Sequence, residues 1–126
     1  MEMLVRLQEQ HPIDALQAVI DTDKLLHLQR RVRKVHVEES VRKYIVRLTE
    51  ATRSHVDVSL GASPRGSLAL FRSAQALAFI RGRPFVVPDD VKHLVHVTLG
   101  HRIILKSEAR FNGARVENLL EDVLHK

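Results

Sequence analysis

The sequence contains no cysteine and no tryptophan, and it has only one tyrosine and four phenylalanines among 126 residues. Without cysteine the chain has neither disulfides nor thiolate metal ligands, which fits an intracellular protein without requiring one. So few aromatic side chains make a base-stacking platform for single-stranded nucleic acid a poor fit. No Gly-Lys dipeptide occurs, so the chain lacks a Walker A loop for nucleotide phosphates. A complete ATPase of the phosphate-loop kind is therefore excluded.

Membrane-directing segments are missing from the sequence as well. The first residues, MEMLVRLQEQHP, are charged throughout, and no apolar run approaches the length of a membrane span. A chain of 126 residues is long enough for one domain with its own core. Twenty Lys and Arg against fifteen Asp and Glu give a net charge of +5, which suits a phosphate-bearing partner as readily as solubility. We expect residues 1–126 to form a single soluble, cytoplasmic domain with no membrane partner.

Apolar residues recur at spacings of three and four along most of the chain, which predicts an all-α fold, a small helical bundle. One helix is predicted over EMLVRLQEQ before Pro12 and another behind Asp21 and Thr22. The segment from Pro64 to about Arg81 is apolar on nearly every side, which predicts the central and most buried helix. The other helical stripes are Leu25, Leu28 and Val32; Val41, Ile45, Leu48 and Thr52; Val91, Leu94, Val95, Thr98 and Leu99; and Val116, Leu119, Leu120, Val123 and Leu124.

Three short apolar pieces resemble β-strands rather than helices. They are VHV at 35–37, FVV at 85–87 and RIIL at 102–105, and they predict either a minor two-stranded pairing or extended linkers. The segment KSEARFNGAR, residues 106–115, carries no clear pattern before the last helix.

One helix start carries an unexpected charge. In LGASPRGSLALF, residues 60–71, Ser63 is placed to cap a helix and Pro64 suits its first position. Arg65 then falls in the first turn, beside the positive end of the helix dipole. Gly66 lets a ligand approach the backbone, so the free N–H groups and the forked guanidinium suit a phosphate. From helix physics alone, the simpler explanation of Arg65 is an arginine that is exposed or paired with an acid. Arg72 lies on the same face of the helix, and it either extends a basic stripe or is solvated.

Other polar clusters have simpler explanations than a site. His93 and His96 lie three apart on one helix and His101 follows, but no His-Glu-x-x-His pattern supplies a further ligand, so we predict no metal site. Pro88 suits the first position of a helix, which places Asp89 and Asp90 in the first turn rather than in a magnesium site. A solvated face is favoured over nucleic-acid contact for the basic cluster Arg30, Arg31, Arg33 and Lys34.

Residues 60–105, LGASPRGSLALFRSAQALAFIRGRPFVVPDDVKHLVHVTLGHRIIL, resemble the C-terminal lid of MoxR-type AAA+ ATPases. Those lids share Gly-Ala-Ser-Pro-Arg, an alanine-rich helix, Gly-Arg, Pro-acid-Asp-Val and His-Arg. Upstream, EQHPIDALQAVI, LLHLQRRVRKVHV and VRKYIVRLTEATRSH are similar to the segments before that motif, so the resemblance covers nearly the whole chain. The sequence departs from the family pattern at two positions. Gly66 stands where alanine is usual, and Val87 stands where a Thr or Ser commonly caps the next helix. The loss of that cap costs roughly 1 kcal/mol in helix stability.

The resemblance implies that Arg65 is the sensor-2 residue, a catalytic arginine that acts only together with a core domain outside these residues. It implies that Ser63, Pro64, Arg65 and Gly66 face the nucleotide, that ATP and Mg²⁺ are the cofactors of the longer protein, and that this chain alone neither hydrolyses ATP nor binds it stably. It also implies a hexameric ring, in which the lid meets its own core domain and neighbouring subunits, and chaperone-like remodelling or maturation of a client protein.

Two alternatives remain open at this stage. A magnesium-chelatase-type AAA+ lid shares Ser-Pro-Arg and the Asp-Val helix. A basic helical nucleic-acid-binding module belongs to a different class, but the helix after Pro64 is too apolar to lie in a groove, so nucleic acid is not expected as a partner.

Overall fold

The computed structural model describes Ile13 and residues 16–125, which form six α-helices and one two-stranded sheet. This confirms the predicted all-α class. The helix predicted over EMLVRLQEQ lies outside the described residues. A 3₁₀ turn, Gly100–Arg102, follows the fourth helix. The helices are α1 (Thr22–Arg33), α2 (Glu39–Ser54), α3 (Pro64–Ile80), α4 (Pro88–Leu99), α5 (Ser107–Phe111) and α6 (Val116–Leu124), and the strands are β1 (Val58–Leu60) and β2 (Ile104–Leu105).

Backbone contacts divide the chain into two units, Met1–Arg30 and Arg31–Lys126. The described part of the first unit contains most of α1, which begins where the sequence predicts. The Asp21 side chain accepts a hydrogen bond from the Lys24 amide at 2.7 Å and so caps this helix. No residue of α1 is buried. The assignment of residues 1–126 to one domain stays a prediction.

The core of the second unit lies where α3 packs against α2 and α4. The C-terminal helix α6 also packs against α2 and α4. Because the apolar residues on these helices recur every three or four positions, each helix buries one stripe. The buried set matches the predicted stripes of α2, α4 and α6 closely. The predicted stripe residues that are buried are Val41, Ile45, Leu48 and Thr52 on α2, Val91, Val95 and Leu99 on α4, and Leu119, Leu120 and Val123 on α6. The remaining predicted residues, Leu94, Thr98, Val116 and Leu124, are half-buried.

The apolar helix α3 packs between α2 and α4, as a central helix should, but one side of it is exposed. Its inner stripe of Leu70, Ala74 and Ala78 is fully buried, but Leu68 is 57% exposed and Ile80 is 79% exposed. The exposed side is wider than the narrow polar stripe of the sequence, because the packed neighbours cover only part of the circumference of α3.

The strands pair differently from the prediction. The segment 104–105 is a strand as expected, but its antiparallel partner is Val58–Leu60, with Val58 opposite Leu105 and Leu60 opposite Ile104. The other two pieces meet in a single parallel bridge between His36 and Phe85. The strand Val58–Leu60 cannot be predicted from the sequence, because three residues are too few to show the alternation of apolar and polar side chains. Residues 106–115, which show no clear pattern in the sequence, include α5, and this helix buries Ala109.

Candidate functional site

The start of α3 carries the Ser-Pro-Arg element and has the geometry of a helix N-terminus. Ser63 is in extended conformation at the N-cap and Pro64 occupies the first turn, as predicted. The expected side-chain cap is absent, since the Ser63 hydroxyl makes no capping hydrogen bond. Instead the Gly66 amide donates to the Ser63 carbonyl at 2.7 Å, so the backbone itself closes this turn.

Arg65 projects from this first turn and is exposed. Among the described residues its guanidinium has no hydrogen bond and no ion pair, and the first turn of α3 contains no acidic residue. Its positive charge therefore adds to the positive end of the helix dipole without local compensation. Such a position attracts an anion, and a guanidinium presents two parallel donors to it.

Helix α2 fixes the backbone that leads into this helix start. The buried Thr52 hydroxyl accepts a hydrogen bond from the Ala62 amide at 3.0 Å, and Arg53 Nη1 donates to the Ala62 carbonyl at 3.3 Å. A Cβ on Gly61 would lie 2.6 Å from Arg53 Cα, so only glycine allows this close approach to α2. The Thr49 and Ser67 hydroxyls lie 2.8 Å apart in a second link between α2 and α3. The chain is thus tied on both sides of Arg65.

Helix α4 holds the same turn from another side through Gly66. A Cβ there would lie 3.2 Å from Leu99 Cδ2 and 3.3 Å from Ala62 Cβ, and Gly66 is buried. Side chains of Leu99 and Ala62 therefore occupy the space beside Gly66. Because Gly66 has no side chain, α3 can pack closely against α4. A role for Gly66 in ligand binding stays a prediction.

Arg102 is a second arginine at this helix start, and its role is not evident from the sequence. Its Nε donates to the Thr98 carbonyl at 2.9 Å, and its Cδ lies 3.8 Å from the position of a Cβ on Gly66. The rest of the side chain is exposed. The His-Arg pair of the motif was the signal for it, but spacing alone gave no reason to place it beside Gly66.

Arg72 does not extend a basic stripe of unengaged arginines along α3. Its Nη1 donates to Gln75 Oε1 at 3.0 Å, and buried Gln75 in turn donates to the Val35 carbonyl at 2.8 Å. Arg72 therefore belongs to a structural network that connects α3 with the segment after α1.

Asp90 is buried in the first turn of α4. Its position there is predicted from the sequence, but its role is not. Asp90 has no solvent exposure and accepts hydrogen bonds from Arg81 Nη1 and Arg83 Nη1, each at 2.9 Å, and from the Val87 amide at 3.0 Å. Burial by itself raises the pKa of the Asp90 carboxyl, but the bonds from Arg83 and Val87 and the nearby cations hold it below its usual value. Asp90 thus satisfies the Val87 amide although Val87 itself has no capping side chain. Asp89, by contrast, is exposed.

The histidines of α4 have separate environments. His96 Nε2 lies 2.7 Å from Glu121 Oε1 and links α4 to α6, whereas His93 of α4 and His101 of the following 3₁₀ turn are exposed. Within the described residues, no group of three or more His, Cys, Asp or Glu side chains could hold a metal ion. No helix in that part of the chain is both long and apolar enough to cross a membrane.

Known proteins are similar to this chain in sequence or in structure. YeaC of Bacillus subtilis (strain 168), an uncharacterized protein, is 40% identical over 124 residues, which are 98% of this chain and 39% of YeaC. Chaperone MoxR1 of Mycobacterium tuberculosis is 33% identical over 115 residues, which are 84% of this chain and 30% of that protein. A crystal structure of a candidate ATPase from Cytophaga hutchinsonii superimposes with a TM-score of 0.87 at 30% identity, over 100% of this chain and 40% of that one.

The chain thus spans less than half the length of each of these proteins. Residues 50–123 match the family model of the AAA lid domain, and this range includes α3, α4, both strands and the Ser-Pro-Arg element. The resemblance noted in the sequence is confirmed by this match and by relatives named MoxR. The chain therefore belongs to the AAA lid domain family.

Proposed function

We propose that Arg65 is the sensor-2 arginine of this lid and contacts the phosphates of ATP held by a core domain of a longer protein. The observation that carries the proposal is the exposed, unpaired guanidinium at the start of α3, on backbone that α2 and α4 both fix. A cation placed there is unfavourable for an isolated helix, but it becomes favourable when an anion arrives. Ser63, Pro64 and Gly66 form the turn that presents Arg65.

The donor set at this turn fits a phosphate group but not a metal ion. It consists of a guanidinium and the positive end of a helix, and the first turn of α3 supplies no carboxylate that could bind Mg²⁺. ATP bound to the core would supply the phosphoryl group that is transferred to water. Arg65 would hold its negative charge and orient it, so that nucleotide state and lid position become coupled.

The rest of the proposed machine lies beyond this chain. The proteins matched here are more than twice as long, which leaves room for a core domain with ATP- and Mg²⁺-binding loops. The relative MoxR1 is named a chaperone, and this supports an ATP-driven, chaperone-like action on a client protein. A hexameric ring with neighbouring subunits around each lid completes the proposal. This chain alone does not hydrolyse ATP.

The proposal is tested in the full-length protein that carries this lid, by steady-state ATP hydrolysis. Arg65→Ala is expected to lower kcat by roughly 10- to 1,000-fold, as for the loss of one preorganised donor. Arg47→Ala is the matched control, because Arg47 is an exposed arginine in the middle of α2, away from α3's first turn. Arg72→Ala is less suitable, since Arg72 supports Gln75. Unchanged turnover and nucleotide affinity in an assembled Arg65→Ala protein would leave Arg65 as a surface arginine.

A further inference from the structure

A cleft with a basic rim lies at the opposite end of α3 from Arg65. Phe79, in this cleft, is 14 residues beyond Arg65, or about 21 Å along the helix axis. The cleft has a volume of about 380 Å³, near the lower end of the roughly 300–1,000 Å³ of ligand sites, so it has room for one large side chain rather than a folded element. Its lining residues are Arg31, Lys34, Val35, Phe79, Gly82, Arg83 and Pro84.

The floor of the cleft is apolar and its backbone is fixed. Val35 is buried, and Phe79 and Pro84 line the space beside it. The His36 amide donates to the Pro84 carbonyl at 2.8 Å, and the Val86 amide donates to the His36 carbonyl at 3.0 Å. These bonds connect the backbone segments on the two sides of the cleft, and such preorganisation lowers the cost of binding.

The rim of the cleft carries unneutralised positive charge. The Arg31 guanidinium lies over the Phe79 ring, 5.2 Å from its centre, and this cation–π contact favours that position of the side chain. Among the described residues, neither Arg31 nor Lys34 has an ion pair or a side-chain hydrogen bond. Arg83 forms an ion pair with buried Asp90, which fixes the position of the Arg83 side chain and neutralises its charge. Two cations are therefore available above an apolar floor.

From this combination we infer that the cleft binds an acidic segment of a partner protein. One apolar side chain of that segment inserts against Phe79 and Pro84, and flanking carboxylates pair with Arg31 and Lys34. The inference rests on charge complementarity and on the apolar floor, and it is independent of the role of Arg65.

Nucleic acid fits the cleft less well than an acidic peptide does. A nucleic-acid site usually has a row of cations that contact the phosphate backbone. It also has several aromatic side chains that stack on the bases. Among the described residues that line the cleft, Phe79 is the one aromatic side chain, and Arg31 lies over one face of its ring. The small apolar floor instead suits a single aliphatic or phenyl group.

The test is fluorescence anisotropy with the 126-residue chain and a labelled heptapeptide in which one central phenylalanine is flanked by aspartates and glutamates. Binding with a dissociation constant on the order of 10–100 μM is expected. Arg31→Gln combined with Lys34→Gln is expected to weaken it by roughly tenfold or more. Arg42→Gln combined with Arg47→Gln is the matched control, since it removes the same charge from exposed positions of α2 and is expected to change binding less than roughly twofold.

Two further arms identify the binding mode. A peptide with glycine in place of phenylalanine is expected to bind at least roughly fivefold more weakly, because the apolar floor is then unfilled. Amide chemical shifts in a titration are expected to move at Val35, Gly82 and Arg83 and not at the start of α3. The inference is overturned by no binding, by equal binding of the glycine peptide, by equal loss in the α2 control, or by tighter binding of single-stranded DNA of matched charge.

Discussion

The side-chain hydroxyl of Thr52 accepts a hydrogen bond from the backbone amide of Ala62 at 3.0 Å, and both residues have no solvent exposure. This bond joins α2 to the residue just before the Ser-Pro-Arg element. The same hydroxyl donates to the Thr49 carbonyl at 2.7 Å, so its donor and an acceptor site are both used. The position of the proposed phosphate-binding arginine therefore depends on a buried threonine of another helix.

Replacing Thr52 by valine keeps the side-chain shape but leaves the Ala62 amide buried without a partner. The expected cost is about 1–3 kcal/mol in the free energy of unfolding, measured by urea denaturation of this chain. Thr98→Val is the control, because the Thr98 hydroxyl bonds only to carbonyls within its own helix, and its cost is expected to stay below about 0.5 kcal/mol. Equal effects of the two variants would show that the link to Ala62 contributes nothing.

Three glycines of the second unit allow a graded test of close packing. Gly61→Ala places a Cβ 2.6 Å from Arg53 Cα, and because backbone must move, a loss of about 2–4 kcal/mol is expected. Gly66→Ala meets only side-chain atoms at 3.2 and 3.3 Å and is expected to change stability by less than about 1.5 kcal/mol. Gly100→Ala is unobstructed at φ −53°, so a gain of about 0.4–1 kcal/mol is expected.

Thermal or urea unfolding of the three glycine variants gives the order directly. The expected order of stability is Gly100→Ala above Gly66→Ala above Gly61→Ala. A Gly61→Ala protein as stable as the original chain would contradict the close approach of residues 61 and 53.

The sequence predicts the helical parts of this fold well, because each helix buries a stripe whose spacing is local. Val91, Val95 and Leu99 illustrate this, since all three are predicted core residues and all three are fully buried. Pairings between distant segments leave no such local signal. The partnership of Val58 with Leu105, across 47 positions, depends on how the helices bring the two segments together.

The candidate site shows the same division between local and distant signals. The charge conflict of Arg65 is readable from the sequence, because the helix start is specified by Ser63 and Pro64. The supports of that turn are not readable, since Thr52 and Leu99 meet it only through tertiary packing. Pro88 predicts the place of Asp90 in a first turn, whereas the ion pairs of Asp90 with Arg81 and Arg83 depend on the conformation of the loop before α4.

Asp90→Asn should make stability less dependent on pH in the acid range. The folded state lowers the pKa of the Asp90 carboxyl, so its stabilising contribution is fully present above the ordinary value of 3.8 and is lost as pH falls through the lowered value. At neutral pH the variant is expected to lose about 1–3 kcal/mol, because charged hydrogen bonds to Arg81 and Arg83 are weakened. Urea midpoints at pH 7 and pH 3 would show a gap that narrows at the lower pH. Asp89→Asn, at an exposed carboxylate of the same turn, is the control, and at pH 7 it is expected to cost less than about 1 kcal/mol.

Arg65→Ala should stabilise this chain slightly when it is studied without a core domain. The guanidinium has no partner among the described residues and adds its charge to the positive end of α3, so its removal relieves a repulsion of about 0.3–1 kcal/mol at low ionic strength. Arginine and alanine have similar helix propensities, so little else changes. Raising the salt concentration should shrink the difference, because the charge is exposed and screened. Arg47→Ala, in the middle of α2, is expected to show neither the gain nor the salt dependence. A destabilised Arg65→Ala chain would mean that Arg65 already has an intramolecular partner, and the reason for expecting a phosphate at this turn would disappear.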